Sequence, residues 1–201
     1  SFFPSKTLGA IGDAGAVITD DPEVAAKVAA LRHHGRPGST VNNFPAIRTG
    51  SALVGVNSKM DDLQAAVLIA KLTTLDHDIG RRAELAAAYT ERLTGVPGVR
   101  ALPGPLRPGQ DVCYVYVVEV EDRDRLAATL TAAGIGTEIY YPIPLHLQPC
   151  FADLGYRPGD FPHAEAACRH AIALPLYPDL ELADVDRVCA AISRFYTGRA
   201  S

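Results

Sequence analysis

The first fifteen residues restrict the fold more than any other stretch of this chain. Ser1-Phe2-Phe3-Pro4-Ser5-Lys6-Thr7-Leu8 sets a single lysine among apolar and aromatic neighbours, and Gly9-Ala10-Ile11-Gly12-Asp13-Ala14-Gly15 follows as a glycine-punctuated turn. The turn runs into Ala16-Val17-Ile18-Thr19, which reads as a short buried strand. A lysine in such surroundings is expected to be partly desolvated, which disfavours its charged form and frees a neutral amine as nucleophile. That is what a Schiff-base lysine requires.

Other readings of the segment compete. Ser5-Lys6-Thr7 looks like the end of a phosphate-binding loop, yet Phe2, Phe3 and Pro4 stand where such a loop needs glycines. Gly9, Gly12 and Gly15 are spaced by three and do not form the dinucleotide fingerprint. An ordinary surface lysine ahead of a strand also fits these residues.

The 201 residues, 48% of them hydrophobic, suffice for a substantial core in one or two domains. The formal charge of −4, with both signs interspersed, disfavours nucleic-acid binding. The apolar runs are well short of a membrane span, and no signal segment opens the chain, although a leader ahead of Ser1 stays open. Cys113, Cys150, Cys168 and Cys189 are far apart and form no C-x-x-C pair, which points to reduced thiols, no metal site and a cytoplasmic protein.

Asp21-Pro22-Glu23 carries the signals of a helix start, and the helix should end near His34-Gly35. The histidines there suit the negative end of a helix and read as structural. Residues 36–55 form a long loop of the kind that is often functional. Ser58-Lys59-Met60-Asp61 is a capping-box pattern that opens a helix from about Met60 to about Leu93, kinked or broken at Gly80. Gly95-Val96-Pro97-Gly98 stops it and divides a first domain, 1–95, from a second, 96–201. In the second, a link over 96–112 leads to a strand over 112–120, a helix over 122–133 and a strand over 137–141. A proline-rich loop, a helix near 162–171, a strand over 172–174 and a helix over 183–196 complete a small α+β domain.

Two further runs carry specific chemistry. Gly55-Val56-Asn57-Ser58-Lys59 precedes Leu63-Gln64-Ala65-Ala66 at a helix N-terminus, where free N–H groups favour a phosphate. A capped helix start alone also explains it. Tyr140-Tyr141-Pro142-Ile143-Pro144-Leu145-His146-Leu147-Gln148-Pro149 holds a histidine in a loop pre-ordered by prolines. A stiff surface loop with an incidental histidine is the competing reading. Gly155-Tyr156-Arg157-Pro158-Gly159-Asp160-Phe161-Pro162 with Glu165, and Leu174-Pro175-Leu176-Tyr177-Pro178, read as fold rather than chemistry.

With the lysine segment, these runs closely resemble the pyridoxal-phosphate nucleotide-sugar aminotransferases of the DegT/StrS-like family, in the same order and over almost the whole chain. The resemblance implies an α/β protein of fold type I: the end of the large α/β domain, then a small C-terminal α+β domain. It further implies roughly twice this length for a family member, with the partner of the pyridine nitrogen, the ring-stacking residue and most phosphate donors outside these residues.

What the resemblance implies for the site is specific. Lys6 would hold pyridoxal phosphate as a Schiff base and shuttle the proton. Ser1 would bind the cofactor phosphate, and Asn57 would reach the phosphate of the neighbouring subunit. His146 and Tyr141 would approach the sugar. Lys59 stands where the family usually has arginine, replacing a fork of donors by a point charge. Relatives that dehydrate sugars carry histidine at the lysine position, so Lys6 favours amination. The expected partners are a nucleotide-linked keto sugar (3-keto favoured over 4-keto), L-glutamate as amino donor, and a second copy in a homodimer with shared active sites. The alternatives are a non-catalytic regulatory protein on the same fold and a sugar dehydratase.

Overall fold

A computed structural model describes residues 1–37, 50–107 and 109–198. They divide into two compact units, Ser1–Asp76 and His77–Ser201. This division lies well ahead of the one expected at 95/96, because Leu85, Tyr89 and Leu93 belong to the core of the second unit.

In the first unit, α1 (Pro22–Leu31) begins as expected. The Asp21 carboxylate accepts the backbone N–H groups of Glu23 and Val24 at 2.8 and 3.2 Å. The helix stops at Leu31, earlier than expected. His34, at φ 58°, and Gly35, at φ 73°, turn the chain left-handed. Most of the expected long loop lies outside the described residues.

The single helix expected over 60–93 is two helices, α2 (Asp62–Leu72) and α3 (Leu75–Leu93). The break falls at Thr73–Thr74, not at Gly80. Thr73 Oγ1 donates to the Ala70 carbonyl at 2.7 Å and Thr74 Oγ1 to that of Lys71 at 3.3 Å, so the hydroxyls compete for groups of the helix end. Gly80 sits inside α3 with open space where a Cβ would be. The capping box is not formed either: Asp61 is the N-cap, without a side-chain bond, and the Ser58 N–H donates to the Arg32 carbonyl at 2.9 Å.

Residues 16–19 form no strand. Ile18 is 97% exposed, and among the described residues no strand pairs with this run. Its apolar side chains match a buried strand, but an unpaired segment gains neither ladder bonds nor burial.

The second unit is built on an antiparallel sheet in the order β1 (Val99–Ala101), β2 (Tyr116–Val120), β3 (Ala171–Leu174). Strand β1 falls within the expected link over 96–112. It exists because Gly98, at φ +78°, lets the chain pass over the Tyr196 ring, where a Cβ would come within 2.2 Å. The strand expected over 137–141 reduces to one bridge, Glu138 with Ala173, since the Glu138 side chain takes the Ile139 N–H at 2.9 Å.

Helices α4 (Arg123–Ala132), α5 (Pro162–His170) and α6 (Leu182–Thr197) complete this unit. Leu126 and Leu130 of α4, Val185 and Ile192 of α6, and Leu85 and Leu93 of α3 are fully enclosed with Val118, Val120 and Ile172 of the sheet. Each such side chain contributes about 1.5–3 kcal/mol by leaving water. The stacked rings of Tyr89 and Tyr116, 4.9 Å apart, fill the centre, and their hydroxyls bond to the Pro175 carbonyl and to Thr90.

Candidate active site

The lysine segment folds back on itself. The Phe2 N–H donates to the Ala14 carbonyl, and that of Ala10 to Phe2, each at 2.8 Å. The Lys6 N–H donates to the Phe3 carbonyl, also at 2.8 Å, which puts Lys6 on the bend. The Ser1 hydroxyl accepts the Phe3 N–H at 3.3 Å and so lies in the same turn. Gly9 is required there, because a Cβ would stand 2.4 Å from the Pro4 carbonyl oxygen. Lys6 itself is half-buried.

Helix α2 holds this turn from one side. Gln64 Oε1 accepts the Ile11 N–H at 2.9 Å, and Lys71 Nζ donates to the Gly9 carbonyl at 2.7 Å. Gly12 leaves the space Gln64 occupies, since a Cβ would approach its amide nitrogen to 2.6 Å. In the sequence Gln64 stands within the Leu-Gln-Ala-Ala run, and nothing there marks Lys71. The two lie seven residues apart, a two-turn spacing on one helix face that was legible in principle.

Asn57 is exposed and forms an antiparallel bridge with His33, behind α1. Lys59 Nζ donates to Asn57 Oδ1 at 2.8 Å and lies 3.3 Å from His33 Nδ1. Burial and then the Lys59 ammonium hold His33 below the ordinary histidine value, which suits an accepting Nδ1. His33, read as a structural helix end, thus belongs to the Asn57 cluster. The same geometry shows what Lys59 does with its point charge, which is to fix one end of the Asn57 amide.

In the second unit, Tyr141 is 67% exposed, its ring edge-on to Tyr140 at 5.6 Å. His146 sits in a short 3-10 turn, Leu145–Leu147, that starts at Pro144. Its side chain is only 8% exposed, and Nε2 lies 3.2 Å from Glu165 Oε1. The Phe161 ring is 4.8 Å from the imidazole and Tyr156 6.3 Å. These groups, with Leu145, Phe151, Leu154 and Ala164, wall a cavity of about 340 Å³. The Gly159 N–H donates to Glu165 Oε1 at 2.7 Å and is the main cause that holds this carboxyl below its usual range. The segment 155–165, read as fold alone, therefore encloses the histidine. A larger cavity of about 810 Å³, between α3 and residues 103–113, is lined by none of the expected site residues.

The residues sort by unit: Ser1, Lys6 and Asn57 in the first, Tyr141 and His146 in the second. Comparison with known proteins gives this arrangement a context. A "pleiotropic regulatory protein" of Geobacillus stearothermophilus is 39% identical over 197 residues, 98% of this chain and 50% of that protein. A dTDP-3-amino-3,4,6-trideoxy-alpha-D-glucose transaminase of Streptomyces venezuelae is 39% identical over 192 residues, 96% of this chain and 48% of that one. The crystal structure of S. venezuelae DesV in complex with a ketimine intermediate matches with a TM-score of 0.85 at 38% identity, covering 97% of this chain and 50% of DesV. The chain spans about half the length of the curated relatives it matches. A family model matches residues 1–193, the lysine turn, the Asn57 cluster and the His146 loop included, and the chain belongs to the DegT/DnrJ/EryC1/StrS aminotransferase family.

Proposed function

We propose that these residues form the lysine-bearing half of a pyridoxal-phosphate-dependent aminotransferase that converts a nucleotide-linked keto sugar to an amino sugar. The observation that carries this reading is the pinned turn: a half-buried Lys6 on a bend fastened to α2 by Gln64 and Lys71. Such fastening holds an amine in one place, as covalent catalysis requires.

The donor set fits pyridoxal phosphate. Lys6 supplies an amine for the aldehyde and Ser1 a hydroxyl for the phosphate, while Asn57, its Oδ1 engaged by Lys59, keeps N–H donors for a phosphate. When bound, the cofactor supplies the electron sink that makes a neighbouring C–H acidic. Lys6 then moves the proton as general base and acid. His146 and Tyr141 orient the sugar. Asn57 acts on the cofactor of a second copy, which makes the working unit a homodimer. L-glutamate is the amino donor, and a 3-keto sugar is favoured over a 4-keto one. The amino group at carbon 3 in the name of the Streptomyces relative supports that preference. Among the described residues no helix is long and apolar enough to cross a membrane. The proposed location is the cytoplasm, with neither membrane nor nucleic acid as partner.

Incubation of the cofactor-loaded protein with L-glutamate tests the reading. Release of one 2-oxoglutarate per bound cofactor, and continued release once a dTDP-linked 3-keto sugar is added to accept the amino group and restore the aldehyde, is the expected result. A loaded protein that releases none is not an aminotransferase for glutamate. The name of the Geobacillus relative favours a second reading, regulation without turnover, in which the cofactor binds and neither half-reaction proceeds.

A further inference from the structure

His146 Nε2 and the backbone N–H of Gly159 meet on the same oxygen of Glu165, at 3.2 and 2.7 Å. His146 and Glu165 side chains are 8% and 11% exposed. An ionised carboxylate only accepts hydrogen bonds, so the imidazole must donate from Nε2. The ring also packs against Phe161 at 4.8 Å and Tyr156 at 6.3 Å, two rings that lie 5.2 Å from each other. Among the described residues Nδ1 takes no hydrogen-bond partner.

We infer that Glu165 is the positioning residue of His146: it fixes the Nε2–H tautomer and leaves Nδ1 as the atom that accepts a hydrogen bond from a ligand, such as a sugar hydroxyl. This deepens the role proposed for His146 and rests on that reading. The outer nitrogen of the ring is thus engaged within the protein, and the inner one is left for a ligand. Glu165 in turn is held by the Gly159 amide, at a residue whose φ of +100° suits glycine.

The imidazole ¹⁵N resonances of His146, recorded in the wild type, Glu165→Gln and Glu165→Leu, test the inference without turnover. The wild type should carry its proton on Nε2. Glu165→Gln keeps an oxygen in the same place and should keep that tautomer. Glu165→Leu should release the proton to both nitrogens. A wild-type proton on Nδ1 overturns the inference, and so does an unchanged tautomer in Glu165→Leu. The wild-type spectrum decides even if Glu165→Leu does not fold. The rate of amination of a dTDP-linked 3-keto sugar should fall about tenfold in Glu165→Leu and much less in Glu165→Gln. If His146→Phe leaves that rate unchanged while the tautomer is Nε2–H, the reading of His146 fails and the Glu165 geometry does not.

Discussion

The two units are held together by different physics. Residues 77–201 close around enclosed leucines, isoleucines and valines drawn from sheet and helices. Residues 1–76 bury only Ala10, Ala30 and Leu68 among their described apolar side chains, and they leave Ile11, Ile18, Val54, Leu63 and Ile69 largely exposed. What fixes the lysine turn is a set of directed contacts: backbone bonds within 1–14 and two side chains of α2. A packed core tolerates the loss of one hydrogen bond, whereas a turn fixed by a few bonds does not. Chemistry and stability are therefore separable here by mutation.

The largest effect should come from the packed unit. Ile192→Ala removes a fully enclosed side chain of α6 and should cost about 2–5 kcal/mol in urea unfolding. Cofactor attachment at Lys6 should survive wherever the variant remains folded. Gly9→Val is next. It drives a side chain against the Pro4 carbonyl at 2.4 Å and should cost about 1–3 kcal/mol. Its signature is selective: labelling at Lys6 is lost while near-ultraviolet circular dichroism from Tyr89 and Tyr116 persists.

Cutting the ties to α2 should act more mildly. Gln64→Leu or Lys71→Met each removes one bond to the turn, worth about 0.5–1.5 kcal/mol, and should raise the dissociation constant for pyridoxal phosphate severalfold. The double variant should do more than either alone. Equal constants for the wild type and both single variants would show that α2 does not fix the turn.

The smallest effect is a pH dependence at His33. Its folded-state value lies below the ordinary 6.5, so the unfolded chain binds more protons in the window between the two. Stability of the Asn57 cluster should therefore decline as pH falls through 6.5 and level off below the folded value. Amide exchange at Ser58, whose N–H is bonded behind the cluster, reports it, and His33→Gln should flatten the response.

What was legible in the sequence follows the same contrast. The lysine turn could be read because its closure is local: Gly9 stands where a Cβ would strike the Pro4 carbonyl, five residues back. The Asp21 cap and the helix over 183–196 were legible for similar reasons. The helix break at Thr73–Thr74 was missed because threonine is a weak breaker, and only hydroxyl bonds to the helix end reveal it. Strand β1 depends on a contact between Gly98 and Tyr196, nearly a hundred residues apart. The link from Glu165 to His146 was equally invisible, since it needs the intervening loop to fold back.

The central claim is that Lys6 is the residue to which pyridoxal phosphate attaches. Borohydride reduction of the protein equilibrated with pyridoxal phosphate, followed by peptide mapping, tests it most directly. A single reduced adduct on the peptide bearing Lys6, absent from Lys6→Ala, is the predicted result. A stoichiometric adduct that maps to Lys27, Lys59 or Lys71 and survives in Lys6→Ala would contradict it.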